Sequence, residues 1–234
     1  EQLKLVWSNN ENEMEEVEYN DEDVMEGLTP HPNLKELTIL DFKGKNIASW
    51  MTQMTNLVKI TLSDCNRCEE FPPLGHLPKL REMEIHRMRN VKVIKNDFHG
   101  DVYSGSSEFS NSGPAKLVTT LYPSLTKLSL WDLPKLEEWL EPVVSSGSED
   151  QSALLVFPKI EILVIQNCPN LRRIPRNCFT FLKELVISDL DSSNMILKSV
   201  SRTVSSLRYL RLVRISDGKE ESSSSPPPNL DSIS

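Results

Sequence analysis

Apolar residues recur along this chain at offsets 0, +3 and +5 of a repeated phrase. The phrase fits at Leu34/Leu37/Ile39, Leu57/Ile60/Leu62, Leu80/Met83/Ile85, Leu125/Leu128/Leu130, Ile160/Leu163/Ile165, Leu182/Leu185/Ile187 and Leu207/Leu210/Leu212. Successive starts lie 23, 23, 45, 35, 22 and 25 residues apart, and Leu3 and Leu5 read as the +3 and +5 positions of one earlier, truncated copy. Offsets that differ by two share one face of a strand, so each copy predicts a short strand with two inward hydrophobes and a third entering from the preceding bend. One copy cannot bury that face alone; parallel copies stacked side by side make a continuous interior. Offset +8 tests the idea independently. It holds Phe42, Cys65, Met88, Leu133, Cys168, Leu190 and Ile215, every one apolar or cysteine, as an inward-turning position requires.

A period near 23 residues lies within the ~20–29 of leucine-rich repeats. The fold class expected is therefore an α/β repeat: a leucine-rich-repeat solenoid, a curved horseshoe with a parallel sheet on its concave face and an irregular, short-helical convex side. The repeats are expected to occupy residues 1–215, with an acidic loop at 8–29 and insertions at about 96–119 and 141–153. The first insertion holds the Gly/Ser-rich run from Gly100 to Pro114. It is about one repeat long, so a degenerate repeat is an alternative to a flexible loop. The Ser/Pro-rich tail, 216–234, has too little apolar content for a core and is expected to be disordered. The chain starts inside a repeat-like phrase, Leu3-Lys-Leu5, and so is expected to be part of a longer protein.

Strand alternation also predicts the face that partners use. With +3 and +5 inward, offsets +2, +4 and +6 point outward and tile the concave surface. The expected contact residues are Thr38, Leu40, Thr61, Ser63, Glu82, Glu84, His86, Ser129, Trp131, Ile162, Val164, Gln166, Val186, Tyr209 and Arg211; Glu36, Lys59, Lys127, Glu184, Ser188 and Val213 share their offsets. Trp131, Ile162 and Val164 form an apolar cluster over adjacent copies, suited to anchoring a partner. Glu82/Glu84 and Tyr209/Arg211 are expected to orient it by charge.

Charge changes this picture in one place. Residues 1–26 carry ten acids and one lysine, a balance of −9, which leaves +1 for the other 208 residues. A solvated acidic loop is the plain reading; a contact for a basic partner surface is the sharper one. No basic stripe with interleaved aromatics marks a nucleic-acid binder, and no apolar run is long enough for a membrane span. The four cysteines, Cys65, Cys68, Cys168 and Cys178, are too few and scattered for a disulfide scaffold, and no Asn-x-Ser/Thr acceptor occurs. Both facts favour a reducing compartment: the cytoplasm, with the nucleus as an alternative.

Candidate chemistry is sparse. Cys65-x-x-Cys68 could be a redox or metal pair, but no second such pair or nearby histidine pair completes a zinc site. The repeat instead puts Cys65 in the core and Cys68 beyond the bend. His31, His76, His86 and His99 are isolated, and no phosphate-binding loop, dinucleotide fingerprint, nucleophile elbow or HExxH motif is present. The expectation is a protein with no enzymatic activity, cofactor or metal.

Several phrases go beyond the generic repeat. They are Pro30-His-Pro-Asn-Leu34-Lys-Glu-Leu37 followed by Trp50-Met51 and Thr55-Asn-Leu57; Asp64-Cys65-Asn-Arg-Cys68-Glu with Phe71-Pro-Pro-Leu-Gly-His-Leu-Pro78; Tyr122-Pro-Ser-Leu125 with Leu136-Glu-Glu-Trp139; Phe157-Pro-Lys-Ile160; and Cys168-Pro-Asn-Leu171. Over about residues 1–215 the chain resembles the leucine-rich-repeat region of plant nucleotide-binding leucine-rich-repeat immune receptors, coiled-coil class. It lacks that family's nucleotide-binding domain and the L-x-G-x-I-P phrase of secreted plant repeats. The resemblance implies an intracellular sensor portion. It would recognise pathogen effectors, or host proteins altered by them, and restrain the receptor's nucleotide-binding domain until then. A substrate adaptor or scaffold of a ubiquitin-ligase or signalling complex is the alternative on the same repeat.

Overall fold

The computed structural model describes residues 1–7, 20–71, 73–94, 118–139, 153–175, 178–190 and 206–215. In chain order the elements are β1 (Gln2–Val6), α1 (Asp21–Gly27), β2 (Glu36–Leu40), a 3-10 turn (Ser49–Gln53), β3 (Lys59–Ser63), β4 (Glu82–His86), β5 (Val93–Ile94), β6 (Val118–Leu121), β7 (Lys127–Trp131), β8 (Glu138–Trp139), β9 (Ala153–Val156), β10 (Ile162–Gln166), β11 (Glu184–Leu190) and β12 (Tyr209–Ile215). Eight strands form one sheet in the order β1-β2-β3-β4-β7-β10-β11-β12. Every neighbouring pair is parallel, and the +3 residues align across it as Leu3, Leu37, Ile60, Met83, Leu128, Leu163, Leu185 and Leu210. The protein is a leucine-rich-repeat solenoid.

Burial follows the repeat. From β2 to β11 every +3 and +5 side chain is at most 2% exposed, and the +8 residues from Phe42 to Leu190 are fully buried. Two further inward positions emerge. Offset +11 brings in Cys68, Val91, Leu136 and Leu171, and offset +14 brings in Ile94, Trp139 and Ile174. Two short ladders lie outside the main sheet. β5 pairs with β8, whose Glu138 bridges on to Arg173. β6 pairs with β9 and leads into Tyr122 and Phe157, which stack at 4.8 Å.

The seven full copies share one backbone step at offset +7. The +7 residues Asp41, Asp64, Arg87, Asp132, Asn167, Asp189 and Arg214 all have positive φ, between 49° and 61°. That left-handed step turns the chain so that the +8 side chain enters the core, while the N–H at +7 bonds the +6 carbonyl of the next strand, as from Asp64 to His86 at 3.1 Å. Asp and Asn tolerate this conformation better than most residues. The two arginines sit here with an ion pair to the aspartate one copy earlier. Arg87 grips Asp64 through Nε and Nη2 at 2.6 and 2.7 Å, and Arg214 Nε meets Asp189 at 2.8 Å.

Three expectations need correcting. Cys68 lies beyond the bend, but that place is not outside the core: it is fully buried, because it takes the +11 place that Leu136 and Leu171 hold in other copies. Its thiol lies 3.5 Å from the Gly44 carbonyl, and its pKa is raised by the hydrogen bond it gives Cys65 and by burial. Burial likewise pushes Cys168 up to about 12. Second, Leu210 and Leu212 of the last copy are inward by register yet 48% and 40% exposed, since β12 is a sheet edge among the described residues. Third, the acidic stretch read as a loop contains α1. The insertions at 96–119 and 141–153 end in strands β6 and β9, at Val118 and Ala153; their remaining residues and the 216–234 tail lie outside the described residues.

α1 is held by its own acids. Met25 is buried and its carbonyl accepts the Trp50 indole N–H at 2.8 Å. Glu22 accepts the N–H groups of Lys45 and Asn46 at 2.6 and 3.2 Å, and Glu26 accepts the N–H and hydroxyl of Ser49, capping the 3-10 turn. Both carboxyls are thereby held below the usual 4.5, Glu22 chiefly by the Lys45 N–H and Glu26 chiefly by the Ser49 hydroxyl. A lowered folded pKa contributes stability above the unfolded value and loses it as pH falls through the folded value. The α1 contact is expected to hold at neutral pH and to loosen as acidity passes the ordinary glutamate range. Thermal melts at several acid pH values test this: Glu22→Gln/Glu26→Gln should start less stable and change less on acidification. A double variant with the wild-type acid response would remove α1 from the explanation.

Candidate functional site

The outward face of the sheet divides into two halves of different chemistry. At offset +2 the first strands read Glu36, Lys59, Glu82, Lys127, alternating in sign in register across β2, β3, β4 and β7. Glu84 lies between two lysines, 3.3 Å from Lys59 Nζ and 2.8 Å from Lys127 Nζ, and Lys59 also meets Glu82 at 3.4 Å. Burial would raise the Glu84 pKa, but the two ammonium groups outweigh it and hold the carboxyl below its usual value. Glu82 and Glu84 therefore do not offer free negative charge; that expectation is corrected by the pairing.

From β7 onward the same offsets carry more apolar side chains, interrupted by Ser129, Gln166, Glu184, Ser188 and Arg211. Trp131 stands 47% exposed at the end of β7, Ile162 and Val164 are half-buried on β10, and Val186 and Val213 are half-buried on β11 and β12. Tyr209, at the start of β12, is 49% exposed. Val164, Val186 and Arg211 are aligned neighbours at offset +4, and Gln166 faces Trp131 at +6. His86 packs its ring edge against Trp131, centroids 5.4 Å apart, and partial burial draws its pKa below the usual histidine value.

Comparison with known proteins agrees with this architecture. Residues 1–88 match the family model of R13L1/DRL21 leucine-rich repeats. The chain is 30% identical over 224 residues to disease resistance protein RGA2 of Solanum bulbocastanum, covering 93% of this chain and 20% of that protein. It is 30% identical over 206 residues to the same species' RGA1, covering 87% and 17%. The chain belongs to the leucine-rich-repeat region of plant disease-resistance proteins. A disease resistance protein of Arabidopsis thaliana matches at 29% identity over 169 residues, 71% of this chain and 10% of its own length. The chain thus spans between about a tenth and a fifth of the curated relatives it matches. No solved structure matches it.

In this disease-resistance repeat region the structure brings most of the expected contact residues onto one face and withdraws some. Ser63 and Ser129 are only 4% and 9% exposed, as is the similarly placed Ser188 at 5%. Ser63 is covered by Arg87, whose Nη2 donates to its hydroxyl at 2.9 Å, so Ser63 and Ser129 are corrected from contacts to floor. Thr38, Leu40 and Thr61 are half-buried on the ionic side. Sequence reasoning missed the +7 ladder and its Asp64–Arg87 pair, which borders the outward face beside His86. The repeating spacing of Asp41, Asp64, Asp132, Asn167 and Asp189 was the available signal. Among the described residues no group of three or more His, Cys, Asp or Glu side chains is arranged to hold a metal ion, and no helix is long and apolar enough to cross a membrane.

Proposed function

We propose that this chain is the recognition part of an intracellular plant immune receptor. It binds pathogen effectors, or host proteins that effectors have altered, through the outward face of its sheet, and it restrains the receptor in their absence. The role is binding rather than catalysis, in the cytoplasm or nucleus. The observation that carries the reading is the more apolar half of that face, where Trp131 is about half exposed in a sheet whose inward side is closed from β2 to β11, and Tyr209 is likewise exposed on the edge strand β12. Exposed aromatics on an extended surface are the residue types that dominate partner affinity, and a contiguous apolar patch on a protein surface marks an interaction site. Restraint follows if a partner binds one receptor state better than another and shifts the equilibrium by that difference.

The test is a two-hybrid screen of secreted pathogen proteins against this chain, followed by calorimetric titration of each hit. Trp131→Ala should weaken binding by about 2 kcal/mol, roughly thirtyfold, with an unchanged melting temperature. Hits that bind Trp131→Ala and Tyr209→Ala as tightly as the parent would place recognition elsewhere.

A further inference from the structure

The Cys65-x-x-Cys68 pair takes no part in the outward face, yet its two sulfurs meet. Cys65 holds offset +8 and Cys68 offset +11 of the second full copy, and both are fully buried. The Cys68 N–H donates to the Cys65 carbonyl at 3.2 Å, which closes a four-residue turn. Such a turn keeps its end Cα atoms within ~7 Å, close to the ~4.4–6.8 Å that a disulfide spans. Both side chains turn inward, and the Cys68 thiol hydrogen-bonds the Cys65 sulfur. The fifth copy supplies the contrast. Cys168 has the same +8 place and the same turn, with the Leu171 N–H on its carbonyl at 3.1 Å, but a leucine fills its +11 place. Burial pushes Cys168 up, whereas the bond from Cys68, helped by the Phe42 N–H, draws Cys65 below the usual thiol value.

One segment covers both sulfurs, and α1 holds that segment. The Phe42 N–H lies on Cys65 and the Gly44 carbonyl lies 3.5 Å from the Cys68 sulfur. Gly44 itself is backed by the Phe42 ring and Glu22, and Glu22 accepts the next two N–H groups, those of Lys45 and Asn46. A buried thiol is inert until its cover opens, so its reaction with a reagent in solution tracks local opening.

We propose that Cys65 and Cys68 form a reversible oxidation site, which a peroxide closes to a disulfide when α1 releases residues 42–46. Cys65, as the thiolate, attacks one peroxide oxygen; the O–O bond breaks, hydroxide leaves with the proton Cys65 gave up, and Cys65 becomes a sulfenic acid. Cys68 then attacks the Cys65 sulfur. The S–O bond breaks, the S–S bond forms, and the second hydroxide leaves with the Cys68 proton. Two thiols lose two electrons, and one hydrogen peroxide becomes two waters. A dithiol reductant reverses the step by exchange. The disulfide has no S–H for the Gly44 carbonyl, and it draws the sulfurs to ~2.05 Å in an interior with little spare room. The oxidised site therefore keeps residues 42–46 and α1 loosened, since what opens the site must in turn be favoured by its closure to a disulfide.

Hydrogen peroxide added to the purified full chain tests this, with samples alkylated, digested with trypsin and weighed. Trypsin cuts after Arg67, so a disulfide leaves Ile60–Arg67 joined to Cys68–Lys79, and dithiothreitol separates the two peptides. The joined pair should accumulate while Cys168 stays unmodified. Glu22→Gln/Glu26→Gln should speed its formation by about tenfold, and so should Gly44→Ala, which displaces the same segment and leaves both glutamates in place. Circular dichroism confirms that each variant is folded. In the oxidised chain the Lys45 and Asn46 amides should exchange with deuterium about tenfold faster and recover on reduction. Cys68→Val, with the residue that Val91 places at +11 of the third copy, should instead leave Cys65 as a sulfenic acid that dimedone traps. Cys65 and Cys68 recovered as free thiols, or Cys168 oxidised as fast as the pair, would overturn the site. Equal rates in the parent and both variants would overturn the control by α1. Unchanged exchange in the oxidised chain would overturn the loosening of residues 42–46.

Discussion

Leu163→Ala is expected to destabilise the chain by about 2–5 kcal/mol, whereas Val164→Ala beside it is expected to cost under about 1.5 kcal/mol. The two residues are adjacent in β10 and take opposite faces, and Leu163 is larger by one methylene. Leu163 is fully buried, aligned between Leu128 and Leu185, and its removal leaves a cavity against both neighbouring copies. Val164 is half-buried on the outward floor, where solvent or a partner can fill the space. In a stack, each copy is stabilised through its neighbours, so a cavity in β10 weakens the interfaces on both of its sides at once. Urea denaturation followed by circular dichroism measures both variants. Equal losses, or a larger loss for Val164→Ala, would mean that the strand is turned the other way and that the outward face has been assigned to the wrong residues.

That contrast also shows what the sequence made legible. Periodicity in one variable, apolar or not, was enough to align Leu37, Ile60, Met83, Leu128, Leu163 and Leu185, because burial depends only on which face a side chain takes. The outward residues followed from the same alternation. What they do there did not follow, because it depends on neighbours from other copies. Glu84 reads as a free acid along its own strand; only the alignment of β3, β4 and β7 brings two lysines to it. Ser63 reads as a contact until Arg87, 24 residues later, lies over it. The change of character along the face was present in the letters: offset +2 runs Glu36-Lys59-Glu82-Lys127 and then Ile162, Glu184 and Tyr209, while offset +4 brings in Val164 and Val186. It becomes visible once each offset is read across the copies rather than along them. α1 was hidden for a different reason. Its acids look like solvated charge, yet Glu22 and Glu26 answer backbone N–H groups that no pattern of side chains records.

Gly44 depends on that same contact, and Gly44→Ala is expected to destabilise the N-terminal copies by about 1–3 kcal/mol, the usual range for overpacking a filled site. A methyl group on Gly44 would fall onto the Phe42 ring and 2.6 Å from Glu22 Cγ. Phe42 cannot swing aside, because it is fully buried and its ring packs at 4.9 Å against Trp7. Glu22 can move only by giving up the N–H groups of Lys45 and Asn46. The Gly44 carbonyl is also the partner of the Cys68 thiol, so a backbone shift would disturb the core of the following copy. A double-mutant cycle with Glu22→Ala separates the two clashes. If Glu22 bears part of the strain, Gly44→Ala should cost less in the Glu22→Ala background than in the parent, and the remainder belongs to Phe42. Thermal melts of the four proteins give the answer. A neutral Gly44→Ala would mean that α1 does not lie against residues 44–49 as described, and the acid sensitivity expected of Glu22 and Glu26 would then fail with it.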